Sequence, residues 1–155
     1  MATTYNFTNG SITGQPKPAA TLPNTTGLFT RSNIVDFANQ TLTASASDVA
    51  QVLVIPADTW VLSVTLRVIT AETANGSCDV GTGLDADQWG DGLSLASTGN
   101  LATLWAPEYF ASADTIDLTV TADGAAVDLD GAKVEIVALM CPGAKADGAG
   151  TQVST

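Results

Sequence analysis

The chain is expected to be all-β, an antiparallel β-sandwich of jelly-roll-like form, and three stretches of strict alternation carry that expectation. In residues 59–70, Leu62, Val64, Leu66 and Val68 fall on one face and Ser63, Thr65 and Arg67 on the other. Residues 115–121 set Ile116, Leu118 and Val120 on one side, and residues 133–141 do the same with Val134, Ile136, Ala138 and Met140. A period of two is the mark of a half-buried strand, since successive side chains point to opposite faces. No segment of convincing length shows the 3.6-residue period of an amphipathic helix. Turn signals recur about every 8–12 residues, the spacing of a sandwich.

Taken in order, residues 1–45 read as an extended N-terminal arm. They are rich in Thr, Asn, Pro and Gly and hold three of the six prolines, Pro16, Pro18 and Pro23. Pro16-Lys17-Pro18 favours an extended path, because proline cannot continue a helix or a central strand. The body is drawn over residues 46–142. Strands are expected at 49–55, ended by Pro56, and at 59–70. A short strand at 77–80 leads into a Gly/Asp loop over 81–92, followed by short strands at 93–96 and 101–105. The strand at 115–121 turns at Asp123-Gly124 into 126–129, and Asp130-Gly131 turns into 133–141. Pro142 stops the last strand. Residues 143–155 read as a flexible tail of linker composition.

Charge is divided unevenly. Residues 1–35 carry Lys17 and Arg31 and no acid, for +2; the remainder carries −13, giving the net −11. An extended, slightly basic arm on an acidic body suits attachment to a larger partner. Candidate attachment residues are Lys17, Leu28, Phe29, Arg31 and Phe37. The acidic excess argues against nucleic acid, whose phosphates call for clustered Lys and Arg, and against an anionic membrane. No apolar run approaches the roughly 18 residues of a membrane span. The opening MATTYNFTNG lacks the basic and apolar regions of a secretory signal, so a cytoplasmic origin is expected. Cys78 and Cys141 read as small buried hydrophobes, with a disulfide between them left open.

Little points to catalysis, and the chain is not expected to be an enzyme. It has no histidine, which removes the commonest general base and zinc ligand. No phosphate-binding or dinucleotide fingerprint occurs. The densest acidic group, Asp79, Asp85, Asp87 and Asp91, sits in DVGTGLDADQWGDG. Loop carboxylates suit Ca²⁺, but no Glu closes an EF-hand pattern, and the acids serve equally as turn formers; no metal and no cofactor is expected. Trp60, Trp89, Trp105, Tyr109 and Phe110 could build a sugar-stacking platform, although core or interface packing is the commoner use of such residues. Trp89, within the loop, is the candidate for an exposed, ligand-facing position.

Three stretches carry a resemblance: IPADTWVLSVTLRVITAE, SCDVGTGLDADQWGDGLSLASTG and YFASADTIDLTVTADGAAVDLDGAKVEIVALM. Across roughly residues 56–139 the chain resembles head decoration, or cement, proteins of tailed bacteriophages. The resemblance implies a virion structural protein bound to the major capsid protein on the outer head surface. It also implies a homo-oligomer, a trimer, made in the host cytoplasm. Apolar residues on both faces of one strand, Val61 and Ile69 beside Leu62 and Val68, fit an oligomer independently. The alternative is a receptor- or carbohydrate-binding module of a phage fibre or tail.

Overall fold

The computed structural model describes residues 4–6, 27–43, 47–73, 76–120 and 128–143. Among these residues nine strands are formed: β1 (Thr4–Asn6), β2 (Phe29–Asp36), β3 (Val49–Ile55), β4 (Thr59–Thr70), β5 (Ser77–Gly81), β6 (Gly90–Ser94), β7 (Gly99–Phe110), β8 (Asp114–Val120) and β9 (Lys133–Pro142). A single 3-10 turn, Phe37–Asn39, follows β2 and is capped by the Asp36 carboxylate on Ala38 N–H. The strands build a five-stranded sheet in the order β1-β3-β8-β5-β6 and a four-stranded sheet in the order β2-β9-β4-β7. Every pairing is antiparallel except β1 with β3. The inner faces meet in one core, with Val52, Ile55, Val80, Ile116 and Leu118 opposing Val64, Leu66, Val134, Ile136 and Met140. The expected all-β sandwich is what forms. The Asp123-Gly124 turn and residues 126–127 of the expected 126–129 strand lie outside the described residues; Leu129 pairs with Leu42.

The register of β4 against β9 shifts after Val61 and again after Val68, and the first shift decides what faces where. Val61 pairs with Met140 and Ser63 with Leu139, so Leu62 is an extra residue with no partner on β9. Such a bulge shifts the phase of the strand. Before it Thr59 and Val61 are buried; after it Val64, Leu66 and Val68 are. Leu62, expected in the core, is therefore only half-buried, and Val61 takes the inward position.

The arm drawn over residues 1–45 needs correction. Residues 29–36 form an edge strand of the four-stranded sheet, paired with β9 from Phe29↔Met140 to Asp36↔Lys133. Val35, Phe37 and Leu42 are fully buried. The strand was hidden because its inward positions are Phe29, Arg31, Asn33 and Val35, two of them polar. Both polar groups sit at the open edge and reach across to the other sheet. Arg31 Nη1 donates to Val54 O at 3.1 Å and Asn33 Nδ2 to Val52 O at 3.0 Å. They clasp the sandwich shut, using carbonyls beyond the stretch that β1 pairs, residues 49–51.

Glu72, just past β4, holds the entry to β9. Its Oε2 accepts from the backbone N–H groups of Asp130, Gly131 and Ala132 at 3.2, 3.1 and 3.0 Å, and its Oε1 from Thr73 N–H at 2.9 Å. Burial by itself would push this carboxyl up, but the four donors outweigh it and hold the group below its usual range. A Cβ at residue 131 would come within 2.9 Å of Glu72 Oε1, so a side chain there would push on the carboxylate that the turn holds.

Asp117, in β8, is the opposite case. It is 4% exposed, lies opposite Gln51 and Gly81 in the sheet, and its Oδ1 meets no donor. Burial pushes the carboxyl up to about 6; a hydrogen bond with Thr115 works against that and the charge of Asp114 adds to it.

Three outcomes follow from this packing. A chain beginning at residue 46 lacks β2, Val35, Phe37 and Leu42, and is expected to lose cooperative thermal unfolding by circular dichroism; a body that melts like the full chain would refute the role given to β2. Glu72→Gln keeps the shape but loses the charge, and is expected to cost about 2–3 kcal/mol in urea unfolding at pH 7. Because the folded carboxyl is lowered, its contribution is complete above the ordinary Glu value of about 4.3 and fades as pH falls through the folded value, so variant and parent converge in acid. Asp117→Asn runs the other way. A raised carboxyl stabilises the fold fully below the ordinary Asp value of about 3.9 and loses that advantage as pH rises through 6. The variant's gain over the parent is therefore expected to be larger at pH 7.5 than at pH 4.5. Equal differences at the two pH values would refute the assignment.

Candidate binding surface

The bulge at Leu62 leaves Trp60 pointing away from the core. In register it lies opposite Tyr109 on β7 and Cys141 on β9, while Ser63 lies opposite Trp105 and Leu139. Trp105, Trp60 and Tyr109 are 67%, 40% and 37% exposed. Half-buried Val137, Leu139 and Cys141 continue the apolar character along β9. Three adjacent strands thus present one aromatic and aliphatic patch on the outer face of the four-stranded sheet. Clustered exposed aromatics of this kind mark binding surfaces.

The patch is held in shape from one side. The Trp60 and Tyr109 rings have centroids 5.4 Å apart and planes tilted by 45°. Tyr109 O–H donates to Asp58 Oδ1 at 3.1 Å, and that bond to the carboxylate raises the phenol above its ordinary pKa. Asp58 occupies the left-handed region, with φ of 55°, in the tight turn between β3 and β4. Its own carbonyl accepts from Gly143 N–H at 2.6 Å. A Cβ on Gly143 would collide with the Tyr109 ring. Glu108, exposed on the edge strand β7, lies opposite the inward Val61 and so on the other side of the strand from Tyr109. Toward the other end of the sheet Arg67 Nη2 pairs with Glu135 Oε2 at 2.7 Å, and Lys133 Nζ with Asp36 Oδ2 at 2.7 Å. Both cations there are engaged within the chain, and at the aromatic end Asp58 is held by Tyr109.

The acidic loop is ordered by hydrogen bonds of its own. Thr82 N–H donates to Asp85 O at 2.7 Å, Leu84 and Asp85 N–H groups both approach Thr82 Oγ1 at 3.3 Å, and Gly90 N–H donates to Asp87 O at 3.0 Å. Asp79 Oδ1 accepts from Gly92 N–H at 2.7 Å, where a φ of 56° favours glycine. Partial burial raises the Asp79 carboxyl, the Gly92 bond opposes this, and the charges of Asp91 and Asp87 add to it. Asp85 is raised chiefly by a hydrogen bond with Asp87. Among the described residues no three such side chains converge to hold a metal.

Trp89 is not the exposed ligand-facing residue expected of it. It is 1% exposed; its indole N–H donates to Ala106 O at 3.3 Å and its ring lies 6.3 Å from Phe110. The loop's turns drive the indole into the core, and Leu84 is left at the tip.

The attachment residues inferred from the arm are scattered rather than gathered. Lys17 lies outside the described residues. Leu28 is exposed just before β2, and Phe29 is half-buried against the core. Arg31 serves the clasp between the sheets, and Phe37 is fully buried. Cys78 and Cys141 are both free thiols, one on each sheet; burial, with Asp79 nearby, pushes Cys78 up to about 12. Trp60, Trp105 and Tyr109 are the residues whose exposure the core-or-interface reading left open. Their signal was Trp60 adjoining Val61, two large apolar neighbours that cannot share one face of a strand.

No protein-family model and no curated protein sequence matches the chain. Solved structures do. A chain from the capsid of Ralstonia phage GP4 superposes with a TM-score of 0.66 at 14% identity, spanning 93% of this chain and 99% of that one. A chain from the capsid asymmetric unit of cyanophage Pam1 gives 0.59 at 16% identity, spanning 84% and 99%. One from the acid-stable capsid of Helicobacter pylori bacteriophage KHP30 gives 0.55 at 17% identity, spanning 76% and 89%. At such identities the likeness is one of fold, and this chain shares its sandwich with chains found in three phage capsids.

Proposed function

We propose that the chain is a virion structural protein, a decoration or cement protein that binds the major capsid protein on the outer surface of a phage head as a trimer. The observation that carries the reading is the whole-length likeness to a chain of the Ralstonia phage GP4 capsid. Each chain covers nearly all of the other, so a single small sandwich accounts for both. A sandwich this small, with a net charge of −11, suits an accessory that bridges shell subunits and stabilises the assembled state by binding it. Attachment through residues 1–28 and the exposed Leu28 remains part of this proposal; Arg31 and Phe37 no longer do, being engaged inside the sandwich.

A receptor- or carbohydrate-binding module of a fibre or tail is the second reading. What favours it is the exposed aromatic group of Trp60, Trp105 and Tyr109. Heads assembled without this chain and then supplied with it decide between the two. Decoration predicts saturable binding over the whole lattice, seen by electron microscopy, together with a higher temperature of DNA release. Binding confined to a vertex or tail, or none at all, would sink the decoration reading.

A further inference from the structure

Asp117 lies on the wrong face of its strand for a buried residue. Ile116 and Leu118 on either side of it are in the core, so its side chain points out from the five-stranded sheet. It is nevertheless only 4% exposed. Its partners across the sheet are Gln51 of β3 and Gly81 of β5. Such partners stand side by side on one face, about 4.5–5.5 Å apart at Cβ. The acidic loop is folded down on that face beside Asp117. A Cβ at residue 81 would run into the carbonyl of Asp85 and the backbone of Ala86. At its far end the loop is fixed by Trp89, which is buried in the core and donates its backbone N–H to Val80 O at 2.8 Å.

What surrounds this carboxyl is oxygen and negative charge. Its Oδ1 is buried and meets no donor. Its own strand adds Asp114, and the hydrogen bond with Thr115 is the one interaction that favours the charged form. β5 adds Asp79, one pair along the same face and opposite Thr119. The loop adds Asp85 and Asp87. β3 offers the neutral Gln51, and Asp48 ahead of it is turned to Thr43 N–H. The three described cations all belong to the four-stranded sheet: Arg31 is bound at Val54 O, and Arg67 and Lys133 are paired with Glu135 and Asp36. An ionised Asp117 therefore sets a bare oxygen among acids and beside loop carbonyls. A neutral carboxyl brings its own O–H, which those carbonyls can accept.

We propose that Asp117 is a proton-operated latch: its neutral carboxyl holds the loop over residues 81–89 down on the five-stranded sheet by donating to the loop's backbone carbonyls, and its carboxylate lets the loop go. The latch sets how firmly the molecule presents that loop, with Leu84 96% exposed at the tip. It stands apart from any role on a phage head. With the loop closed the carboxyl is raised to about 6, so closure is favoured in acid and weakens as pH rises through that value. With the ordinary Asp value of about 3.9 once the loop is open, the open fraction is expected to grow about tenfold from pH 5 to pH 7.2. Hydrogen exchange of the full-length protein, corrected for the intrinsic effect of pH, measures this. The amides of Thr82 and Gly90, bonded within the loop, are expected to lose about tenfold in protection over that range. Their exchange is expected to depend less steeply on urea than that of β9, as local opening does. Asp117→Asn keeps the shape and a donor but cannot titrate, and is expected to make loop protection the same at both pH values. Gly81→Ala pushes the loop off the sheet, and in it the Asp117 carboxyl, followed by carbon NMR, is expected to titrate near its ordinary value. Loop protection unmoved by pH in the parent, a pH response retained in Asp117→Asn, or loop exchange with the full urea slope of β9 would overturn the proposal. Millimolar Ca²⁺ that restores protection at pH 7.2 in the parent but not in Asp117→Asn would also overturn it, giving the unpartnered oxygen to a metal ion instead.

Discussion

One extra residue in β4 governs much of this molecule. β4 is flanked by β9 and β7 and so lies within the four-stranded sheet. With no bulge, the inward set after the bulge, Val64, Leu66 and Val68, would extend back to Leu62 and Trp60. Leu62 as an unpaired residue lets Thr59 and Val61 face inward instead and turns Trp60 out. A tryptophan is too large to enter a core already filled by Val61, Met140 and Phe110, since packed interiors admit few rearrangements. The same local irregularity therefore completes the core and creates the exposed aromatic face. Structure and surface chemistry here are two results of a single register shift.

The rest of the sandwich depends on polar groups closing what apolar strands leave open. β9 is entered through a turn whose three successive N–H groups converge on Glu72. Buried N–H groups left without acceptors would be costly, and the carboxylate meets them all. On β2, the neighbour of β9, Arg31 and Asn33 carry out the analogous task between sheets. These interactions are long-range in sequence, joining residue 72 to 130–132 and residues 31–33 to 52–54. They make residues 29–36 part of the fold.

That is also why the sequence was read well in some places and poorly in others. The strands at 59–70, 115–121 and 133–141 were legible because their inner positions are almost all aliphatic. β2 was not, because Arg31 and Asn33 occupy inward positions at an open edge, where a polar head can reach a carbonyl across the gap. Composition then gave residues 29–43 to an arm. Trp89 misled in the other direction. Its Gly- and Asp-rich neighbours suggested an exposed loop, yet those residues supply the turns that carry the indole inward. Glu72 had no signature of any kind, since its partners are backbone groups about 60 residues away. The aromatic face was half legible: the residues were recognisable, but their facing depended on a bulge that alternation alone does not announce.

Charge completes the argument about association. An acidic body resists meeting its own copies, because exposed like charges act over roughly 8 Å at physiological salt. The cations Arg67 and Lys133 are engaged by Glu135 and Asp36 on the outer face of the four-stranded sheet. Arg31 is turned toward β3. Of the five basic residues, only Lys17 and Lys145 then lie outside the described sandwich, one in the segment before it and one in the segment after it. Among the described residues, then, every cation already has a partner within the sandwich. A compact acidic body with cations reserved for its extensions can stay soluble when free and still bind where those extensions find carboxylates. The exposed Trp60, Trp105 and Tyr109 are uncharged, so a contact made there draws on apolar burial rather than on the charge of the body.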